Sequence, residues 1–437
     1  MSRETLEDSI VGRTQPAERM PAVRTLFSGG EIINGEPLLL LAGETGIGRE
    51  PPSGGIRFAD DLRMSRHHAT IEVTLSGLYV RDEDSRNGTK VNGQPVTRRR
   101  IAPGDIIRIG DTCLHVGIEE LDLHDSHIPQ LVGFAPVMRD LRNTVAMLGR
   151  SSASVFITGE TGAGKGVVAG ALHDQSGRPG PFIAVNCGAV PAGLAESAFF
   201  GHKKGSFTGA NRDHVGHFKQ ADGGTLFIDE IGELPAQLQA KLLHAAETHE
   251  VVPVGGSTPI RCDVRLISAT NIDVLKAVAS GQFRRDLYAR LAEIEVAVPP
   301  LRQRREDVLL LLRQVLDREL PSLSPHLAEA LLVYDWPLNV RQLLSIGTEL
   351  NVRGKGQQRL ELELIQSRLV TIDAEDLVPV AERSTLPGTF APTRSAIISL
   401  LRAHRGVVKA AAKASGRSRR QFYRWIKQHQ INPAIYR

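Results

Sequence analysis

The sequence predicts three folded parts of different class: an all-β sandwich, a doubly wound α/β domain with a helical lid, and a small all-α helix-turn-helix. Three observations lead there. Up to about residue 118 the chain runs in short β-like stretches broken by Gly, Asp and Asn turns. From there to about residue 370, helical patterns alternate with apolar strands. The segment from Arg394 to Arg437 carries eleven Lys and Arg, no acid, and a helical apolar pattern. The expected boundaries are a polar leader over 1–24, the sandwich over 25–118, a connector over 119–130, the α/β domain over 131–370 with its lid from about 303, a linker over 371–392, and the helical piece over 393–437.

The composition suits such a multidomain chain. With 437 residues, 41% hydrophobic and 23% charged, there is apolar material for about three cores. No run approaches the roughly 18 apolar residues that span a bilayer, and the start, Met1 to Asp8, is too polar for a signal peptide. A cytoplasmic protein without membrane contact is expected. Cys113, Cys187 and Cys262 show neither metal-ligand nor disulfide spacing and read as buried thiols in a reducing compartment. The net charge of +4 conceals a segregation, since outside the basic C-terminal segment 42 basic residues face 49 acidic ones. A polyanion is therefore the expected partner of the C-terminal piece alone.

In the sandwich, strands are predicted at Pro37–Leu41, Thr70–Thr74, Leu78–Asp82, Asp105–Ile109 and Thr112–Val116. Gly48-Arg49, Ser65-Arg66-His67-His68 and Asp84-Ser85-Arg86-Asn87-Gly88-Thr89 fall between strands, where loops at one end of a sandwich converge. Arginines, a hydroxyl and an amide together suit a phosphate. These fragments, in this order, resemble a forkhead-associated (FHA) domain, a reader of phosphothreonine peptides. The resemblance implies Arg49, Ser65 and Arg66 at the phosphate, Arg86 and Asn87 on the peptide backbone, and structural roles for Gly48 and His68.

In the α/β part, the apolar strand Ser154–Thr158 runs into Gly159-Glu160-Thr161-Gly162-Ala163-Gly164-Lys165-Gly166 and then a helical stretch, Val167 to His173. Strand, glycine loop and helix in this order cradle phosphates on backbone N–H groups, with Lys165 reaching the terminal phosphates. Gly166 stands where the general pattern has a metal-binding hydroxyl. A second strand, from Gly223, ends in Asp229-Glu230, one carboxylate suited to Mg²⁺ and its neighbour to polarising the attacking water. A third, Val264–Ala269, ends at Thr270-Asn271, beside the expected γ-phosphate. ATP hydrolysis is the expected chemistry. Between the phosphate loop and the acidic pair lies Gly205-Ser206-Phe207-Thr208-Gly209-Ala210, a glycine-bounded excursion expected to carry Phe207 at its tip.

The series Gly159 to Lys165, Phe182 to Cys187, Phe200 to Ala210, Leu226 to Pro235, Phe283 to Leu291, Pro299 to Arg302 and Trp336 to Arg341 resembles the AAA+ ATPase of sigma-54-dependent transcription activators. That resemblance implies a ring, usually a hexamer, with nucleotide between subunits. It casts Arg284 and Arg290 as arginine fingers, Arg341 as the lid sensor, Thr270 and Asn271 as the first sensor, and Asn186 as a switch contact to Glu230. It makes Gly205 to Ala210 the sigma-54 contact. Departures from the family pattern include Gly166, Gly170, Ala198, Lys203, Ser206 and Leu338.

Beyond the Pro-containing linker, helices are predicted around Ile397 to Leu401, Val407 to Ala414 and Ser418 to Gln428, with Ser415-Gly416-Arg417 as the turn. Phe422 and Ile426 suit the core, leaving Arg419, Arg420, Tyr423, Arg424 and Lys427 for DNA. This piece resembles the Fis-type domain of the same activators. The expected function is a sigma-54-dependent regulator that binds upstream double-stranded DNA, hydrolyses ATP as a homo-oligomer between dimer and hexamer, and opens promoters. Its FHA part reads a phosphothreonine on a partner or on its own chain, supplied by a Ser/Thr kinase. No receiver-like aspartate domain precedes the ATPase, which argues against direct two-component input. Competing expectations are a phosphopeptide-dependent DNA-binding scaffold with weak ATP turnover and a general AAA+ remodeller acting on another protein.

Overall fold

In a computed structural model the described residues are 19–120, 124–207, 210–369 and 408. Apart from Val408, the expected helix-turn-helix lies outside them, as do all five candidate DNA contacts, Thr208 and Gly209.

The N-terminal part is a two-sheet sandwich. Its strands are β1 (Arg19–Ser28), β2 (Glu31–Ile32), β3 (Leu38–Leu39), β4 (Gly43–Gly48), β5 (Ile56–Arg57), β6 (Ala69–Thr74), β7 (Gly77–Asp82), β8 (Thr89–Val91), β9 (Gln94–Val96), β10 (Arg98–Ile101), β11 (Ile106–Ile109) and β12 (Thr112–Glu120). One sheet runs β2-β1-β12-β11-β8-β9, with β3 also on β1, and the other β10-β7-β6-β4-β5. Inward residues such as Ile47, Ile71, Val80, Val91 and Ile107 are fully buried between them. Two expected boundaries move. The leader and the connector both give residues to the sheet, because β1 and β12 pair antiparallel from Arg19 opposite Glu120 onward. Pro21 and Arg24 interrupt the apolar run of β1, which hides this pairing in the sequence.

The second part begins with α1 (Pro136–Gly149), β13 (Val155–Thr158), α2 (Lys165–Ser176), β14 (Phe182–Asn186), α3 (Ala192–Phe200), α4 (His217–Gln220) and β15 (Thr225–Asp229). It continues through α5 (Ala236–Thr248), β16 (Glu250–Val251), β17 (Ile260–Arg261), β18 (Arg265–Thr270), α6 (Val274–Ala279), α7 (Arg285–Leu291) and β19 (Ile294–Ala297). The lid helices are α8 (Val308–Arg313), α9 (Pro325–Val333) and α10 (Asn339–Arg353). The parallel sheet has the order β14-β15-β18-β13-β19. Its strands are near-continuous apolar runs because helices cover both faces. Among the described residues no helix is long and apolar enough to cross a membrane. Cys113, Cys187 and Cys262 are buried free thiols.

The sandwich and the lid share one hydrophobic core. Leu26, Phe27, Ile106 and Cys113 pack with Val308, Leu309, Leu327, Leu331 and the fully buried Trp336 of the lid. Arg108 of β11 meets Glu329 of α9 at 3.0 Å, both side chains at most 10% exposed. Arg305 donates to the Gly104 carbonyl across the same joint.

His115 of β12 lies 3.2 Å from Glu306 in this joint. The distance suits an ion pair, yet burial pushes the Glu306 carboxyl up to about 7 and the His115 imidazole down to about 4, so a contact between two neutral groups describes it better. Between the ordinary glutamate value of 4.5 and about 7, the unfolded chain releases a proton that folded Glu306 keeps. Stability contributed by that proton is therefore lost as pH rises through this window. Glu306→Gln should flatten this fall, gaining on the wild type in thermal midpoint as pH goes from 5 to 8. Parallel pH profiles of the two proteins would refute the assignment.

Candidate functional site

Two sites emerge. The first is at the carboxyl ends of the parallel strands, where open α/β sheets bind ligands. Register aligns these ends, with Thr158 beside Thr270 and Asn186 beside Asp229. After β13 the chain turns through Gly162 at φ +75° and Gly164 at φ +114°, the left-handed region that only glycine enters without strain. Lys165 opens α2 and is buried, with Nζ donating to the Gly159 carbonyl at 2.9 Å and the Glu160 carbonyl at 3.3 Å. Burial lowers its pKa, against the opposing pull of Asp229 and Glu230. A cation held over a glycine loop at a helix N-terminus fits a polyphosphate.

Asp229 ends β15, and its Oδ1 accepts the Glu230 backbone N–H at 3.0 Å. Glu230 itself sits at φ +54°, a conformation unusual for a side-chain-bearing residue and typical of functional positions. A Cβ on Gly188 would lie 2.9 Å from Glu230 Oε2 and 3.3 Å from Asn186 Oδ1, so both side chains border the same space. The Asn186 oxygen is occupied by the Ala189 N–H. Thr270 is buried, its hydroxyl accepting the Ile272 N–H, and Asn271 donates to the Thr161 hydroxyl at 3.0 Å. At Gly166 an added Cβ would meet nothing nearer than Phe227 at 3.8 Å, so the position has room for a hydroxyl it lacks. Among the described residues no group of three or more His, Cys, Asp or Glu could hold a metal. Asp229 and its neighbour fit Mg²⁺ only as part of a shell completed by phosphates and water.

Arg284 caps α7 and forms a fork with Asp286, Nε to Oδ1 at 3.0 Å and Nη2 to Oδ2 at 2.7 Å. Arg290 donates to the Ala246 carbonyl and pairs with Glu293. Both expected fingers are thus tied within the protomer. Arg341 is exposed on the first turn of α10. The glycine-bounded loop closes on itself, Gly205 N–H to the Ala210 carbonyl, and the Phe207 ring rests edge-on against His202 at 4.9 Å instead of standing free. Phe207 keeps 37% exposure, a partly covered apolar tip.

The second site is on the sandwich. Arg49 Nε donates to the Met64 carbonyl, Ser65 Oγ accepts the Arg86 N–H, and Asn87 Nδ2 donates to the Arg63 carbonyl. Three loops distant in sequence therefore converge. A Cβ on Gly48 would lie 2.0 Å from the Arg66 carbonyl oxygen, which is why that position has none. Buried His68 accepts the Ser65 N–H on Nδ1 and so donates from Nε2 to the Gly88 carbonyl. Burial lowers its pKa and keeps this neutral tautomer. Among the described residues Arg49, Arg66 and Arg86 have no carboxylate partner, leaving cationic capacity for an anion. Sequence reasoning missed the lid contacts of Arg302, Arg304 and Asn339, which touch the phosphate loop.

Comparison with known proteins identifies the two domains that carry these sites. The sigma-54 interaction domain family matches residues 131–297 and the FHA domain family residues 45–110. The transcriptional regulatory protein GlrR of Escherichia coli (strain K12) is 38% identical over 315 residues, covering 69% of this chain and 68% of GlrR. The putative uric acid sigma-54-dependent transcriptional regulator UacR of the same organism is 43% identical over 271 residues, 59% of this chain. Only 46% of UacR is spanned, about half its length. NtrX from Brucella abortus, in a crystal structure with ADP, superposes with a TM-score of 0.51 and 28% identity over 69% of this chain and 70% of NtrX. The chain belongs to the sigma-54-dependent transcriptional regulators, and joins an FHA domain to its sigma-54 interaction domain.

Proposed function

We propose that the protein hydrolyses ATP in an oligomeric ring to remodel sigma-54 RNA polymerase at promoters, and that a phosphothreonine read by the FHA loops gates this work. The observation that carries the reading is the alignment of Lys165, just after β13, and the Asp229–Glu230 pair, at the end of β15, on the two strands that flank β18. Lys165 would hold the terminal phosphates, Asp229 the Mg²⁺ shared with them, and Glu230 would orient and polarise the attacking water. The N–H groups of Gly159 to Gly166 would cradle the phosphates. Thr270 and Asn271 would report their state, and Asn186 would lie beside Glu230. Arg284 or Arg290, freed from its carboxylate, would reach the neighbouring subunit's nucleotide, and Arg341 its own. The loop Gly205 to Ala210 would touch sigma-54, with Phe207 lifted off His202.

In this reading the C-terminal Arg419, Arg420, Tyr423, Arg424 and Lys427 contact double-stranded DNA, and Arg49, Ser65, Arg66, Arg86 and Asn87 receive the phosphothreonine. One observation favours a second reading, a DNA-binding scaffold that turns ATP over poorly: Gly166 has space for a metal-binding hydroxyl and none is there. Promoter opening by sigma-54 RNA polymerase in vitro, with and without a phosphothreonine peptide, separates the two. The expected result is ATP-dependent opening that responds to the peptide in wild type and ignores it in Arg49→Ala. ATP hydrolysis with no opening under any condition would defeat the proposal.

A further inference from the structure

The Glu160 carboxylate is taken up by the lid. Its Oε2 accepts Arg302 Nη1 at 2.7 Å and Asn339 Nδ2 at 3.1 Å, and its Oε1 accepts Arg302 Nη2 at 2.5 Å. Arg302 lies where the chain leaves the parallel sheet for the lid, and Asn339 is the first residue of α10. Asn339 is fully buried at φ +52° and is used on every side: Nδ2 also donates to the Thr161 carbonyl, and Oδ1 accepts the Leu301 N–H. On the same loop, a Cβ at Gly162 would sit 2.2 Å from the Leu338 carbonyl oxygen and 3.0 Å from Arg341 Cβ. Residues 160 to 162 therefore touch the hinge, the start of α10 and the root of Arg341 together.

We infer that Glu160 is a positioning residue that clasps the phosphate loop to the lid, so that nucleotide on the loop and the placement of Arg341 are set jointly. This rests on the reading of the site as an ATPase. Folding stability does not explain the pair, because both side chains are about 40% exposed and such pairs add little to it. Their geometry explains more. A planar guanidinium on two carboxylate oxygens fixes direction as well as distance, and the third bond from rigid Asn339 carries that direction into α10. Nucleotide binding and lid orientation would then be linked reciprocally.

The test compares the full chain with Glu160→Gln, Arg302→Ala and the double variant. Steady-state ATP hydrolysis is measured together with hydrogen exchange of α10, with and without ADP. In wild type ADP should slow exchange in α10. Each single variant should keep its unfolding midpoint, lose the ADP-dependent protection, and lower kcat roughly 10- to 100-fold, the cost of modest misplacement. The double variant should be no worse than either single one. Variants with wild-type kcat and undiminished ADP protection overturn the clasp. Wild type that binds no ADP overturns the ATPase reading itself, a failure visible before any variant is made.

Discussion

Glu230→Gln should reduce steady-state ATP hydrolysis by about 10²- to 10⁴-fold, the range expected when a general base is removed, while leaving ATP binding intact. The substitution preserves size and hydrogen-bonding shape. It removes the charge that would polarise water at the end of β15, where the left-handed turn at Glu230 and the Asp229 cap on its N–H hold the backbone that carries the side chain. Binding should survive because the phosphate cradle and Lys165 belong to a different strand-helix turn. The measurement is ATP turnover alongside titration with a fluorescent ATP analogue. A variant as fast as wild type would remove Glu230 from the chemistry. Equally negligible turnover in both proteins, with binding retained, would favour the scaffold reading and point back to the missing hydroxyl at position 166.

The second large effect is on stability. Glu329→Ala should destabilise the protein by about 3–5 kcal/mol, the usual result of stranding one member of a buried charge pair. Arg108 would keep its charge with little solvent and, among the described residues, no other carboxylate within ion-pair distance. Equilibrium unfolding in urea reads the loss. Replacing both residues by apolar ones of similar volume should cost far less, because the desolvation of both charges disappears with their attraction. A loss below about 1 kcal/mol in the single variant would mean that Arg108 finds water or another partner, as exposed pairs do.

Local chemistry was legible in the sequence wherever adjacent residues carry it. Gly159 to Lys165, the Asp229–Glu230 ending, and the loops holding Arg49, Ser65 and Asn87 all announce themselves within a few positions, because turns and strand ends are dictated by near neighbours. Contacts made across the fold were not. Leu26, Phe27 and Cys113 read as ordinary inward residues of a sandwich, and only pairing of β1 with β12 turns them toward the lid leucines. Asn339 reads as one letter of a motif, and neither its positive φ nor its three side-chain bonds are legible there. The tip position of Phe207 was legible, but its contact with His202 was not, because the loop's own residues give no sign of that ring beneath it.

The core shared by sandwich and lid bears on how such a chain can be cut and recombined. A break placed in the connector, between residues 120 and 131, would bare Leu26, Phe27 and Ile106 on one fragment and the lid leucines on the other. Exposed patches of that kind drive association and precipitation. The sandwich is therefore not a bead on a string that can be exchanged for another reader at will. Any grafted replacement must bring an apolar face shaped for α8 and α9, and heating the intact protein should melt reader and lid in a single step.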